Sequence, residues 1–519
     1  MGSGKSTVAS ELAHALALPC IDLDDYIAQQ SGRSIRELFM QGERAFRRTE
    51  AKLLQGLLES HEPAVVALGG GTVTHRPTRH VMLRLGLLVT LSAPAELLAD
   101  RVGEREHRPL LDDVDPVTEL AQIIAARQDA YAECHATLDV SSASVSELVA
   151  QIRALLNAPP VVVPLGMRSY RVEIGSGQRH RLPGLLQAHW GGQQMLVVSD
   201  RKVAQHWLSE VDELCAEGRT VAALRLPSGE QHKRLRSVKT IWDAAFAADL
   251  DRSALMLGLG GGVVGDMTAF AASTFYRGVA LGQLPTSLLA MVDSSVGGKT
   301  GVDRPEGKNL IGSFYQPRFV LCDLDFLQTL PVEELRAGMA EVIKAAWLAG
   351  PEAVDRLAQR LPACMAGDME VLGQVVREAV QLKSHIVTQD EFEGGCRRLL
   401  NFGHTLGHAI EAAHDYRVRH GEAVALGMIA ACRIAEVQGD MHADDTAQLV
   451  ALLEACALPT DLHAYLDERA LSFLQQDKKR DAQHLHFVMP AQPGQTTVQK
   501  IPVTQVQALT RKLLAMDFT

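Results

Sequence analysis

Two short apolar runs, Ala64–Leu68 and Ala254–Leu259, each lead into three consecutive glycines, Gly69–Gly71 and Gly260–Gly262. An apolar run of that length bounded by turn residues reads as a buried strand. The glycines end it by letting the backbone turn sharply and approach a neighbour closely. Leu87–Leu91 and Met195–Ser199 are further strand candidates, while Lys5–Leu16 and Val145–Leu156 have helical character. Short buried strands alternating with amphipathic helices point to parallel sheets covered by helices, so the chain is expected to be α/β.

At roughly 150 residues per domain, a chain of this length holds about three or four folding units. The run Ala158-Pro159-Pro160-Val161-Val162-Val163-Pro164 cannot continue a helix and marks a junction. The expected order is an α/β domain over 1–157, a linker over 158–164, a second α/β unit over 165–325, and a helical part over 326–519 with few strand signals. Hydrophobic residues make up 47% and charged residues 22%, which excludes a mainly disordered chain. Acidic residues outnumber basic ones, 62 to 51, for a net charge of −11; a broadly basic nucleic-acid surface is excluded. The eight cysteines form no C-x-x-C pair, so they read as free thiols in a reducing compartment. The amino terminus lacks the apolar core of a signal peptide, and the stretch 277–293 is too short and too broken to span a bilayer. The expectation is a cytoplasmic protein acting on small molecules, without a nucleic-acid or membrane partner.

The chain opens Met1-Gly2-Ser3-Gly4-Lys5-Ser6-Thr7 and runs straight into a helix. This is the second half of a G-x-x-x-x-G-K-S/T phosphate loop, in which backbone N–H groups cradle phosphates, the lysine neutralises them and the hydroxyl ligates Mg2+. Asp22-Leu23-Asp24 is expected to end a strand with both carboxylates on one side, one near Mg2+ and one able to take a proton from a substrate hydroxyl. Arginines recur at Arg44, Arg47 and Arg48, at Arg108 in Arg-Pro-Leu-Leu, and at Arg127 four residues before Tyr131. Any one of them could be a surface ion pair; beside a phosphate loop they form a carboxylate-and-phosphate clamp.

Residues 1–157 resemble shikimate kinase, through G-S-G-K-S-T, D-L-D, F-R-R-x-E, G-G-G, R-P-L-L and R-x-x-x-Y. The resemblance implies a P-loop three-layer fold around a parallel sheet, transferring the ATP γ-phosphate to the 3-hydroxyl of shikimate. Gly2, Gly4, Lys5, Ser6 and Thr7 would hold ATP, Ser6 and Asp22 would hold Mg2+, and Asp24 would be the base. Arg47, Gly70, Gly71 and Arg127 would hold shikimate, and Arg108 would close over the phosphates. In such kinases a buried strand and the first loop glycine precede this point. The expectation is therefore that Met1 is internal to a longer natural chain, and that phosphoryl transfer is impaired without that strand.

Farther on, Gly260-Gly261-Gly262-Val263-Val264-Gly265-Asp266 suits a dinucleotide pyrophosphate or a tight structural turn, and it is not G-x-G-x-x-G. Asp293-Ser294-Ser295-Val296-Gly297-Gly298-Lys299-Thr300 and Gly307-Lys308-Asn309 set lysines among glycines, as anion sites do. Glu341 and Lys344 share a helical face, as an ordinary salt bridge or as part of a site. His404 and His408 are also one turn apart, with His420 beyond; a glutamate and two histidines make a credible Zn2+ or Co2+ shell.

From Leu165 to Thr519 the chain resembles 3-dehydroquinate synthase, through G-G-G-V-V-G-D, V-D-S-S-V-G-G-K-T, G-K-N, A-E-V-I-K and L-N-F-G-H-T-x-G-H-A. The resemblance implies an α/β NAD-binding part and a helical metal-binding part. Zn2+ or Co2+ would lie on Glu341, His404 and His420, with His408 in proton transfer. NAD+ would be held by Asp200, Glu230, Lys233, Gly261, Gly262, Asp266, Thr286, Ser287 and Lys308. The substrate, 3-deoxy-D-arabino-heptulosonate 7-phosphate, would meet Arg277, Asp293, Lys299, Asn309, Lys344, Lys383, Arg397 and Asn401. Glu393 is the implied proton acceptor, and Lys478 or its neighbour Lys479 would reach the phosphate. The implied assembly is a homodimer through the synthase half. The rival readings are another sugar-phosphate cyclase, or a metal-dependent polyol dehydrogenase behind a non-catalytic nucleotide-binding domain.

Overall fold

The computed structural model describes residues 2–60, 62–102, 115–474, 480–481 and 484–516; Arg108, Lys478 and Lys479 lie outside the described residues. The chain divides into two compact units, Met1–Arg171 and Val172–Thr519.

In the first unit Gly4, at φ 76°, turns the backbone into the helix Lys5–Leu16, which buries Val8, Ala9, Leu12 and Ala13 along one stripe. That stripe shares an apolar cluster with Leu148, Val149 and Ile152 of the helix Val145–Asn157. Among the described residues the strands form two separate parallel pairs. Cys20–Asp22 lies beside Val65–Ala67, and Val89–Ser92 beside Ala136–Asp139. Between the pairs is an apolar slot of about 420 Å³, lined by Val8, Leu12, Val65, Ala67, Val89, Leu91 and Ile152 among others. The expected strand Asp22-Leu23-Asp24 stops at Asp22. The Asp22 carboxylate accepts from the Asp24 N–H at 3.1 Å and caps a helix over Leu23–Ser31, so Asp24 stands in a helical first turn.

The second unit is built on five parallel strands in the spatial order Phe319–Asp323, Ala280–Pro285, Leu255–Gly260, Gln194–Asp200, Thr220–Leu226. The chain lays down Gln194–Asp200 and Thr220–Leu226, then returns to the other side of the first for Leu255–Gly260. That reversal opens a crevice beyond the carboxyl ends of the two neighbouring strands, the place where open α/β sheets bind ligands. Phe319–Asp323, Leu255–Gly260 and the middle of Gln194–Asp200 are buried on both faces, which is why they read as unbroken apolar runs, whereas the edge strand Thr220–Leu226 is largely half-buried or exposed.

Helices dominate from Val332 onward, including Val332–Ala349, Met369–Gln389, His404–Ala413 and His420–Gln438. Three of them meet at glycines. A Cβ on Gly421 would stand 1.9 Å from the Ala337 carbonyl oxygen, and one on Gly427 would stand 1.9 Å from that of Gly403. Only glycine permits backbones to approach so closely. The expectation of few strands near the end is corrected in one respect: His484–Gln492 and Gln495–Pro502 form an antiparallel hairpin, turned by Pro493-Gly494.

Candidate functional site

The close approach of those helices brings three side chains from distant sequence together. Glu341 lies mid-helix in Val332–Ala349, His404 opens the helix His404–Ala413, and His420 opens the helix His420–Gln438. His404 Nε2 is 3.5 Å and His420 Nε2 3.6 Å from Glu341 Oε1. Each imidazole turns its Nδ1 to an acceptor, the Phe402 carbonyl at 3.1 Å and the Glu411 carboxylate at 3.3 Å. With Nδ1–H donating there, both Nε2 lone pairs face Glu341. Glu341 is 2% exposed and neither of its carboxylate oxygens has a hydrogen-bond partner, although the Lys344 ammonium is in ion-pair contact with one of them. The Lys344 ammonium offsets the charge of this buried carboxylate, whose Oε1 faces the two imidazoles. One carboxylate oxygen and two imidazole nitrogens, within 4.8 Å of one another, form a donor set that fits a divalent metal of the zinc or cobalt type.

This cluster lies against a cavity of about 890 Å³ lined by Asp266, Asp293, Lys299, Asn309, Lys383, Glu393, Arg397, Asn401, His404, His408 and His420, among others. Its cations are held in fixed positions by acceptors. Lys299 pairs with Glu393 at 2.6 Å, Lys383 pairs with Asp293, and Arg397 donates to the Gly297 carbonyl at 2.9 Å. Burial lowers the pKa of Lys299 and of Lys383, with the facing carboxylates opposing it. Burial would raise the pKa of Asp293, but the Lys383 and Lys344 ammoniums outweigh it and hold the carboxyl ionised. Asn401 donates to Glu393 at 2.9 Å, and Glu393 sits at φ 60°, in the left-handed region that a residue with a Cβ seldom enters. Arg277 is exposed, at φ 67°, and is not among the described residues lining the cavity.

The residues expected to take a dinucleotide gather at the sheet's carboxyl ends. Asp200 caps the helix Arg201–Cys215 and accepts from Ser228 at 2.5 Å. Gly261 precedes the helix Gly262–Thr274, where a Cβ on Gly261 would meet Ser287 Oγ at 3.4 Å and one on Gly262 would meet Ser294 Oγ at 2.9 Å. Thr286 is buried and follows the strand Ala280–Pro285. Lys233 pairs with Asp266 at 2.5 Å and donates to Asn309 at 2.6 Å, while Lys308 lies 3.6 Å from Glu230.

In the first unit Ser6 Oγ donates to Asp22 at 3.3 Å, which sets a hydroxyl and a carboxylate side by side as Mg2+ ligands require. Arg47 pairs with Glu50 at 2.8 Å and packs over Gly71, where a Cβ would stand 2.1 Å from its guanidinium. Arg127 and Tyr131 lie against Gly70, whose carbonyl accepts from the tyrosine hydroxyl at 2.8 Å. Burial, then the neighbouring Asp22 and Glu50 carboxylates, raise the pKa of Asp24.

Sequence reasoning gave no role to two buried carboxylates. Glu50, the glutamate of F-R-R-x-E, accepts from Thr72 at 2.7 Å and fixes Arg47, three residues before it on one helix. Glu411 accepts from Lys308 at 2.9 Å and faces His420; its signal was its place three residues after His408.

Family models match in the same order. The shikimate kinase model covers residues 1–157, and the 3-dehydroquinate synthase N-terminal and C-terminal models cover 223–337 and 338–480. The 3-dehydroquinate synthase of Thermosynechococcus vestitus is 44% identical over 364 residues, covering 68% of this chain and 99% of its own. A structure of 2-deoxy-scyllo-inosose synthase complexed with carbaglucose-6-phosphate, NAD+ and Co2+ is 26% identical with a TM-score of 0.61, covering 66% of this chain and 97% of its own. One of 2-epi-5-epi-valiolone synthase from Streptomyces hygroscopicus subsp. jinggangensis 5008, with NAD+ and Zn2+ bound, is 27% identical with a TM-score of 0.61, covering 67% and 97%. The chain belongs to the 3-dehydroquinate synthase family and carries a shikimate kinase domain ahead of the synthase. It is a fused shikimate-pathway enzyme, combining a phosphate-eliminating lyase with a phosphotransferase.

Proposed function

We propose that the cavity of the second unit turns 3-deoxy-D-arabino-heptulosonate 7-phosphate into 3-dehydroquinate and phosphate, with Zn2+ or Co2+ on Glu341, His404 and His420 and NAD+ at the Gly261–Gly262 turn. The observation that carries this is the buried Glu341 carboxylate, paired on one oxygen with Lys344 and faced on the other by two Nε2 atoms, at the wall of a lysine- and arginine-lined cavity. When bound, the metal polarises substrate hydroxyls, and NAD+ takes up and returns a hydride. The chain's own part is positioning and proton movement. Lys299, Lys383, Arg397, Asn401 and Asn309 grip the substrate, with Lys478 or its neighbour Lys479 on its phosphate, and that binding energy aligns the reacting carbon. Glu393, held by Asn401 and Lys299, accepts the proton released as phosphate leaves. His408 exchanges protons beside the metal ligands, and Asp293 and Lys344 fix the charge pattern around Glu341. Asp200, Glu230, Lys233, Asp266, Thr286, Ser287 and Lys308 hold the dinucleotide. Arg277 is a substrate residue in the same reading.

In the first unit Gly2, Gly4, Lys5, Ser6 and Thr7 hold ATP, with Mg2+ on Ser6 and Asp22 and Arg108 over the phosphates. Arg47, Arg127, Gly70 and Gly71 hold shikimate. Asp24, its carboxyl made more basic by burial and two neighbouring carboxylates, takes the hydroxyl proton. The working assembly is a cytoplasmic homodimer through the synthase half, whose α/β and helical parts divide at residues 325 and 326. Among the described residues no helix is long and apolar enough to cross a membrane.

The deciding assay supplies the sugar phosphate with NAD+ and zinc and follows phosphate release and NADH absorbance together. Phosphate and 3-dehydroquinate without NADH accumulation is the expected result. Phosphate release with a different carbocycle would move the reading to another cyclase, and NADH accumulation would move it to a polyol dehydrogenase.

A further inference from the structure

Glu411 occupies a place the proposed chemistry does not use. It lies on the helix His404–Ala413, 2% exposed, and its two oxygens serve two different partners. Oε2 is 3.3 Å from His420 Nδ1 and 4.0 Å from His408 Nε2. Oε1 accepts from the Lys308 ammonium at 2.9 Å. Lys308 comes from the hairpin strand Gly307–Ile311, lies 3.6 Å from Glu230, and rests 4.8 Å above the Tyr416 ring. One carboxylate therefore touches both a residue of the metal cluster and a residue of the dinucleotide cluster.

We infer that Glu411 is a positioning residue that couples metal occupancy to dinucleotide affinity, holding His420 for the metal with one oxygen and Lys308 for NAD+ with the other. This rests on the proposed placement of the metal and of NAD+. A carboxylate on Nδ1 fixes the tautomer and the ring plane of an imidazole and makes its Nε2 a better ligand. Lysine is a point charge on a flexible four-carbon stem, so its position depends on what it is bonded to. A metal on His420 immobilises the ring, the ring immobilises Glu411, and Glu411 immobilises Lys308. NAD+ then meets an already ordered ammonium, and by linkage NAD+ tightens the metal by the same factor.

The test uses the full-length protein stripped of metal, with Zn2+ affinity read by competition against a chromophoric chelator and NAD+ affinity by calorimetry, each with and without the other ligand. In the wild type each ligand is expected to tighten the other by about 5-fold or more. Glu411→Gln, which keeps the volume and removes the charge, is expected to weaken Zn2+ by about 10- to 100-fold and to bring the coupling within about two-fold of unity. Lys308→Met is expected to weaken NAD+, leave Zn2+ affinity unchanged and also abolish the coupling. Because Lys308→Met leaves Glu411 in place, it carries the test if Glu411→Gln fails to fold. Glu341→Gln separates the two failures. If it leaves tight Zn2+ binding intact, the metal placement itself falls. If it abolishes binding while Glu411→Gln keeps wild-type Zn2+ affinity, only the role of Glu411 falls. Wild-type protein without mutual tightening, or undiminished coupling in Lys308→Met, also overturns the inference.

Discussion

At the scale of single residues, the two histidines one turn apart on the helix His404–Ala413 are not equivalent. His404 presents Nε2 to Glu341, whereas His408 faces Glu411 across 4.0 Å. His404→Ala is therefore expected to lose metal and lyase activity together. His408→Ala is expected to keep its metal and lose rate by about 10²-fold or more, as removal of a general acid–base group does. Metal analysis beside the phosphate-release rate separates the two, and normal zinc in His404→Ala would contradict the assignment. A second residue-scale expectation concerns Glu133 in the first unit. Burial alone would raise its pKa, but the His80 imidazole 3.5 Å away and hydrogen bonds from Arg79 at 2.6 Å and the Gly166 N–H at 2.9 Å bring it to about 2 from 4.5. Its folded pKa lies below the unfolded one, so the stability it contributes is complete above pH 4.5 and is lost as pH falls toward 2. Thermal unfolding of the first unit followed from pH 6 downward should show this loss. Glu133→Gln should lower stability at neutral pH and flatten the pH dependence; an unchanged slope would rule the carboxylate out. His404 and His408 drew notice in the sequence because they stand one turn apart on a helix, whereas the meeting of Glu341, His404 and His420 from three separate helices leaves no spacing to read. Glu133 was not legible either, because its partners, Arg79 and Gly166, are set by the fold and follow no local pattern.

At the scale of elements, the metal cluster exists because three helices touch through glycine. Replacing a mid-helix glycine by alanine ordinarily stabilises by about 1 kcal/mol. At Gly427 the sign is reversed, since the new Cβ would meet the Gly403 carbonyl at 1.9 Å and the Gly407 nitrogen at 2.8 Å, both backbone atoms. Gly427→Ala should cost about 3 kcal/mol or more and should reduce metal content with it. A raised unfolding temperature with full metal would show that these helices do not set the cluster. In the first unit two strands were readable as apolar runs, Ala64–Leu68 and Leu87–Leu91, and a third from the Asp22-Leu23-Asp24 end, while Ala136–Asp139 was not; the helices Lys5–Leu16 and Val145–Asn157 were readable from their periodicity. The separation into two parallel pairs was not readable from the runs themselves, because strand pairing is a long-range property. The slot between the pairs is apolar, and both bordering strands, Val65–Ala67 and Val89–Ser92, run parallel to their partners. The hairpin His484–Gln492 and Gln495–Pro502 escaped sequence reading for a different reason: its apolar run was absorbed into the helical character of its surroundings.

At the scale of the whole molecule, the chain joins two enzyme domains whose reactions are not consecutive in chemistry. The lyase delivers a carbocyclic ketone, and the kinase consumes an unsaturated carbocycle bearing a hydroxyl at the same carbon. A dehydration and a reduction must intervene, so direct transfer of product between the two sites has no substrate to carry. In the sequence, paired prolines at Pro159 and Pro160 stand between two motif sets with different chemistries; the chain divides into compact units farther on, between Arg171 and Val172. The side chains proposed for each site come from its own unit: Asp24, Arg47 and Arg127 from the first, Glu341, His404 and His420 from the second. The expected outcome is catalytic independence in the intact chain. Saturating ATP and shikimate should change kcat/KM of the lyase by less than about two-fold, a shift below about 0.4 kcal/mol. The sugar phosphate with NAD+ and zinc should leave the kinase equally unmoved. A larger reciprocal change, measured on the full chain by following phosphate and ADP release separately, would mean that the domains communicate through a coupling free energy. Because such coupling is symmetric in binding, it would have to appear in the affinity of each site for its own ligand as well as in rates.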